Sequence, residues 1–202
     1  MFSIKEIAVS EVMMKRKQIV DLITAIMLVL FGSIMLLLPI LKIFCVKYIF
    51  ISVLTLYGVM NLIQFILTKD SKDYEGLFTM IASIITILLI AFIDVDNSPM
   101  NLALVLFVWI GLMSLIKLNK ADYYHDRHKN IWILKMVLLV IFILSGLLSV
   151  INLYYEPQVQ ILILGFFYFL HGIIEMIDPL VNYLISKNYC FSKIIRIFIP
   201  NV

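Results

Sequence analysis

The residues best suited to chemistry lie near the end of one long apolar segment. His171 and Glu175 are four positions apart, a spacing that puts both on one face of a helix. An ionisable group inside a membrane span costs about 2.5–3.5 kcal/mol near the bilayer centre, so it is usually paired or functional. The pair is therefore a candidate proton sensor or proton relay. The structural alternative is that Glu175 is hydrated near the end of its segment or bonds Lys117.

Two further charges occupy matching positions in neighbouring segments. Lys117 and Asp178 have the same expected depth, so a structural pair between them is predicted. Pro179 predicts an end or a kink of the helix immediately afterwards. The loop that contains His125 and His128 also offers carboxylates, but His-x-x-His without a clear third ligand is more typical of a solvated loop. We expect neither a metal nor a cofactor.

Motifs of common enzyme classes are missing from the sequence. It has no Gly-x-Ser-x-Gly turn, no Walker A loop and no His-Glu-x-x-His motif. Its two cysteines, Cys45 and Cys190, form no CxxC pair and are expected on opposite membrane faces, which excludes a disulfide between them. We therefore expect a protein that is not an enzyme. Its basic residues flank apolar segments, which indicates membrane orientation and no binding of nucleic acid.

The elements that must position these residues are six apolar segments. Hydrophobic residues make up 63% of the 202 residues and charged residues 14%, against about 45–50% and about 25% in soluble domains. A chain of this size cannot bury so much apolar surface away from water. In a lipid bilayer that surface does not have to be buried inside the protein. A helical span takes about 20 apolar residues. Six windows qualify, namely 19–39, 43–67, 76–94, 100–117, 131–153 and 159–179.

The expected fold is an all-α polytopic membrane protein with its six-helix domain at residues 19–179. Lysine and arginine number thirteen on one predicted side and two, Lys42 and Lys47, on the other. This bias places segments 1–18 and 180–202, and hence both termini, on the cytoplasmic side of the cell membrane. The pattern of residues 180–202 predicts a basic amphipathic helix in the headgroup layer, or alternatively an extension of the sixth span.

A repeated pattern groups the six segments into three helical hairpins. Each even-numbered segment has a glycine, a polar residue three positions later and another six positions later. These triplets are Gly58, Asn61 and Gln64; Gly111, Ser114 and Lys117; and Gly172, Glu175 and Asp178. Gly32 and Gly146 lie 26 residues before Gly58 and Gly172. Small residues let helices approach closely in lipid, so these five glycines are predicted packing positions, and the polar residues three positions later are expected to face neighbouring helices.

Three such hairpins, with a glycine in each even segment, resemble the HdeD-like acid-resistance membrane proteins. The resemblance covers roughly residues 19–179. It implies a six-span inner-membrane protein, of unknown molecular activity and without catalytic residues, that is linked to acid or general stress tolerance. The lipid bilayer is the expected partner, a homo-oligomer is compatible with the pattern, and the small-molecule ligand is unknown.

A second hypothesis is a small-solute transport component, such as a vitamin-binding membrane subunit that recruits a separate energising module. Such subunits typically have Ala-x-x-x-Ala in the first span, where this chain has only Ala25. A water-filled cavity around Asn61, Ser114 and Glu175 would favour transport, and dry packing would favour a scaffold. Binding of a labelled vitamin or co-purification of ATPase subunits would distinguish transport directly.

Overall fold

Six long α-helices account for almost all of the chain that the structure describes. The computed structural model describes the backbone of residues 4–40, 46–68, 74–93, 95, 98–126, 131–153 and 157–186. The helices are α1 Ile4–Leu37, α2 Val46–Thr68, α3 Glu75–Phe92, α4 Pro99–Asp126, α5 Ile131–Asn152 and α6 Pro157–Ser186. Each contains a stretch of 18 or more residues that is apolar enough to cross a membrane, and no strand occurs in the described ranges. The predicted all-α fold with six membrane-spanning helices is confirmed.

Three helices extend past the predicted segment boundaries. α1 already begins at Ile4, and α4 continues to Asp126 although its apolar run ends near Lys117. α6 passes through Pro179 and ends at Ser186, so the proline does not end the helix. A proline inside a helix removes one backbone hydrogen bond, and neighbouring helices make this tolerable in membrane bundles. Residues 187–202, most of the predicted amphipathic tail, lie outside the described residues.

The helices form a closed ring in chain order. Each packs against its neighbours in the sequence, and α6 returns to α1 in the most extensive interface of the bundle. The α2–α3 and α4–α5 interfaces come next, ahead of α1–α2, α3–α4 and α5–α6. The closest partners therefore belong to different predicted hairpins, and the threefold hairpin repeat stays a prediction.

Glycines make the close approach of α1 to α6. A Cβ atom on Gly32 would lie 2.4 Å from the backbone nitrogen of Phe169, and one on Gly172 would lie 2.6 Å from that of Val29. Gly165, which the repeat pattern did not single out, lies directly opposite Gly32, because its own Cβ would be 3.1 Å from the Gly32 carbonyl oxygen. Backbone atoms cannot yield as side chains do, so this interface requires residues without a Cβ.

The other three predicted packing glycines differ from one another. A Cβ on Gly58 would be 3.3 Å from the Cβ of Ser83, and one on Gly146 would be 2.7 Å from Ile110 Cδ1. Gly111 is not a packing position, because a Cβ there would meet no atom within 4 Å. The repeat pattern gave Gly111 the wrong role because the sequence motif does not fix which face of α4 turns inward.

The outer surface of the ring is apolar. Large hydrophobic side chains are exposed along all six helices, for example Leu30 at 56%, Leu115 at 65% and Leu148 at 61%. An apolar surface of this extent is incompatible with water and fits lipid. The polar residues of the spans are therefore concentrated on the inside of the ring, where they form the site described next.

Candidate functional site

Among the described residues, eight charged side chains gather at one end of the ring, where the spans of α1, α3 and α5 begin and those of α2, α4 and α6 end. Four are lysines and four are carboxylates, so their formal charges balance. We call this cluster the charged end, and its members are Lys17, Asp21, Glu75, Lys117, Lys120, Lys135, Glu175 and Asp178. A balanced set is the arrangement expected where lipid makes isolated charges expensive.

Ion pairs in the charged end connect five helices. Lys120 Nζ on α4 lies 2.7 Å from Glu75 Oε1 on α3 and 3.2 Å from Asp178 Oδ2 on α6. Asp178 also bonds Lys135 on α5, and Glu75 Oε2 lies 3.5 Å from Lys17 Nζ on α1. Two carboxylates thus tie α1, α3, α4, α5 and α6 into one network.

The predicted pair between Lys117 and Asp178 is not the one that forms. Lys117 instead forms an ion pair with Glu175, which was the structural alternative for Glu175, and Asp178 pairs with Lys120 and Lys135. The reason is register. α4 and α6 run in the same direction, and a separation of 58 positions brings Lys117 level with Glu175 and Lys120 level with Asp178.

His171 and Glu175 form the predicted contact on α6. His171 Nε2 lies 3.0 Å from Glu175 Oε1, which is also the oxygen that Lys117 bonds. The His171 side chain is 0% exposed, whereas Glu175 is 22% exposed. Glu175 therefore stands between a fully buried imidazole and an ammonium group nearer the surface.

Aromatic rings surround the buried imidazole on its other sides. The ring centroid of His171 lies 4.9 Å from that of Phe142, 5.4 Å from Trp109, 5.7 Å from Tyr57 and 6.1 Å from Phe167. Trp109 is itself 0% exposed. Beyond His171 the core of the ring is thus apolar and tightly filled, which closes the polar region on that side.

A cavity of about 30 Å³ lies inside the charged end. Since one water needs about 10–15 Å³ by this measure, the cavity has room for about two. Its walls come from α1, α2, α3, α4 and α6. They comprise Asp21, Thr24, Tyr57, Asn61, Gln64, Glu75, Thr79, Met113, Ile116, Lys117, Lys120, Glu175, Asp178 and Pro179. Most of these residues are polar, so the cavity suits water or a small ion.

The repeat-derived polar residues divide between this cavity and the helix backbone. Asn61 and Gln64 on α2 are buried and line the cavity, as Glu175 does on α6. Ser114 does not line it, and its hydroxyl donates to the carbonyl oxygen of Ile110 within α4. The residue six positions after the glycine lines the cavity in all three repeats, whereas the residue three positions after it does so in only two.

Three buried polar atoms in this region have no hydrogen-bond partner among the described residues. They are Trp109 Nε1, the Tyr168 hydroxyl and His171 Nδ1. The Trp109 ring contacts both of the others, with centroid distances of 6.0 Å to Tyr168 and 5.4 Å to His171. Unsatisfied groups of this kind are rare in native interiors and often mark functional positions.

Several residues of the site were not predicted from the sequence. Asp21 and Lys120 lie at span ends, where charged residues usually face water or headgroups, whereas both line the cavity. Glu75 was not singled out at all, although it pairs with two lysines. The sequence does offer one signal for these three residues. Each lies within two helical turns of a span end, next to an otherwise apolar run.

The described residues include no group of three or more His, Cys, Asp or Glu side chains placed to hold a metal ion. The side chains of His125 and His128 lie outside the described residues. No protein-family model, curated protein or solved structure matches the chain. The function is therefore inferred from the residues and geometry of the charged end.

Proposed function

We propose that this protein is a non-enzymatic, multi-pass membrane protein that takes up protons at the His171–Glu175 pair and so contributes to acid tolerance. One observation carries the proposal. A fully buried imidazole contacts a carboxylate that lines a polar cavity, while aromatic rings close the opposite side. The resemblance to HdeD-like proteins supports the same role.

Histidine suits this task because imidazole ordinarily titrates near neutral pH. Nε2 of His171 contacts Glu175, and Nδ1 has no hydrogen-bond partner in the part of the chain that the structure describes, so this nitrogen could hold a second proton. Faces of aromatic rings attract cations, and four rings have centroids within about 6 Å of the imidazole. Glu175 would supply the counter-charge for an imidazolium at this position.

Other ionisable groups surround the pair and determine its charge balance. Lys117 on α4 shares the Glu175 oxygen, and the phenol of Tyr57 on α2 lies against the imidazole. Further groups around the cavity are Asp21 on α1, Glu75 on α3, Lys120 on α4, Lys135 on α5 and Asp178 on α6. Protonation of His171 strengthens its attraction for Glu175 in competition with Lys117, and thereby changes the contact between α4 and α6.

The geometry favours sensing from one side over conduction across the membrane. His171 contacts Glu175 at the wall of the cavity, and the packed rings of Trp109, Phe142 and Phe167 lie on the other side of the imidazole. A proton that arrives from the charged end finds no polar continuation through these rings. The excess of basic residues near this end supports a cytoplasmic orientation, so the cell interior would be the compartment sensed.

The alternative of a vitamin-binding transport subunit has less support. Pockets that hold small organic ligands measure about 300–1,000 Å³, whereas this cavity measures about 30 Å³. The cavity therefore has room for about two water molecules but is too small for a vitamin. Retention of a labelled vitamin by the purified protein, or co-purified ATPase subunits, would favour transport instead.

Tryptophan fluorescence tests the proposal directly. The chain has two tryptophans and three histidines, and only His171 is known to contact Trp109. In a Trp132→Phe variant in nanodiscs, Trp109 emission should fall as the pH is lowered, because an imidazolium quenches a neighbouring indole. His171→Phe should abolish this transition, and the matched variant with His125→Gln and His128→Gln should retain it. An emission that does not change with pH in the Trp132→Phe parent would refute proton uptake at His171.

A further inference from the structure

Asp21 differs from the other carboxylates of the charged end. Glu75, Glu175 and Asp178 each form an ion pair with at least one lysine. Asp21 lines the same cavity, one helical turn beyond Lys17, but forms no ion pair with any described residue. The cavity thus contains one carboxylate that no lysine neutralises by direct contact.

We propose that Asp21 is the proton-access residue of the site, which transfers protons between the aqueous phase and the His171–Glu175 pair. This inference rests on the proposed function. A proton from the aqueous phase converts the Asp21 carboxylate to the acid. The acid passes that proton through cavity water to the pair and becomes a carboxylate again, so the site gains one proton in all.

The charge arrangement explains why Asp21 suits this role better than its neighbours. Protonation of a carboxylate in an ion pair leaves a lysine without its counter-charge, and an uncompensated charge is costly in a protein interior. This cost applies to Glu75, Glu175 and Asp178 but not to Asp21. Asp21 can therefore gain and lose a proton without breaking the network that connects the helices.

The groups facing Asp21 come from every helix around the cavity. They are Lys17 on α1, Tyr57 on α2, Glu75 on α3, Lys117 and Lys120 on α4, and Glu175 and Asp178 on α6. Positive and negative groups are mixed around Asp21. The cavity has room for about two waters, enough for a short hydrogen-bonded relay from α1 to α6.

A stopped-flow pH jump on the Trp132→Phe protein in nanodiscs measures how fast the proton reaches His171. Asp21→Asn should slow the change in Trp109 emission by at least about tenfold, the scale of a lost acid–base group. The final amplitude should not change, because His171 is intact. Asp21→Glu should restore most of the rate, and Asp122→Asn, at an exposed carboxylate late in α4, should have no effect.

The outcomes separate this inference from the proposed function. An unchanged rate in Asp21→Asn would overturn the role of Asp21 while leaving proton uptake at His171 intact. A lost amplitude, with the helical circular dichroism of the parent, would also overturn it, because Asp21 would then belong to the binding site and not to the access route. No emission change in the parent protein would refute both.

Discussion

Lys117 on α4 and Glu175 on α6 form an ion pair, and the same register recurs one turn later between Lys120 and Asp178. Both helices run in one direction, so each lysine of α4 is level with the carboxylate 58 positions further along the chain. This repetition fixes the axial position of α6 against α4. It also places Glu175 within reach of both Lys117 and His171, which is the arrangement on which the proposed proton uptake depends.

Removal of the lysine from this pair should destabilise the bundle. Lys117→Met leaves a carboxylate that is only 22% exposed without its ammonium partner. Removing one partner of a fully buried ion pair lowers the free energy of unfolding by about 3–5 kcal/mol. Because this pair is partly exposed, we expect a loss of about 2–3 kcal/mol. The free energy of unfolding is measured by denaturing titration in mixed micelles with circular dichroism.

The matched double variant tests whether the effect is electrostatic. Lys117→Met combined with Glu175→Met removes both charges, so most of the lost stability should return, with a coupling of about 1–3 kcal/mol. Lys47→Met, at the opposite end of the ring, should be neutral, because Lys47 forms no ion pair with the described residues. Additive losses in the double variant would show that the pair contributes little.

Close packing between α1 and α6 gives a second prediction. Gly32→Ala would put a methyl group 2.4 Å from the backbone nitrogen of Phe169, which forces the helices apart. Overpacking lowers the free energy of unfolding by about 1–3 kcal/mol. Because the added methyl group meets backbone atoms, we expect Gly32→Ala to lie in the upper part of that range. Gly111→Ala is the control, because open space surrounds it and the better helix propensity of alanine should add up to about 1 kcal/mol. Equal effects in the two variants would contradict the described packing.

The hydroxyl of Tyr168 should be dispensable. It is buried without a hydrogen-bond partner among the described residues, and such a group costs about 1–3 kcal/mol. Tyr168→Phe should therefore raise the free energy of unfolding by about 1 kcal/mol and leave the pH response of Trp109 unchanged. Tyr57→Phe should instead lower stability, because the Tyr57 side chain lines the polar cavity and its loss removes a hydrogen-bonding group from there. A lost pH response in Tyr168→Phe would mean that the proton path continues beyond His171.

Helix number and the His171–Glu175 contact were predictable because both depend on short-range sequence patterns. Apolar runs of about 20 residues predict spans, and a spacing of four predicts a contact within one helix. Contacts between helices depend on rotation and register, which the repeat pattern does not fix. For that reason the sequence left Lys117 with two possible partners, Asp178 and Glu175, and it gave Gly111 the same packing role as Gly32.

Several residues were not identified from the sequence for the same reason: their roles depend on how the helices are rotated and aligned against one another. Gly165 lies in an apolar run without a polar marker, so only its position opposite Gly32 reveals its role. Glu75, Lys120 and Asp21 lie near span ends, where charged residues are also expected simply to face water or headgroups. Only the closed ring shows that these three turn inward to one cavity.

The two natural cysteines allow a test of membrane orientation. The basic-residue bias predicts that the charged end is cytoplasmic, which places Cys190, beyond the end of α6, inside the cell. Cys45 immediately precedes α2 and would then lie outside. In spheroplasts, a membrane-impermeant maleimide should label the Cys190→Ser variant at Cys45. It should leave the Cys45→Ser variant unlabelled until the membrane is permeabilised.

Labelling after denaturation controls for thiols that are present but inaccessible. The orientation matters for the proposed function because it decides which compartment supplies the protons. If Cys190 were labelled from outside while Cys45 was protected, the charged end would face outward, and His171 would respond to external acid. Proton uptake itself would survive that result, but the sensed compartment would change from the cell interior to its surroundings.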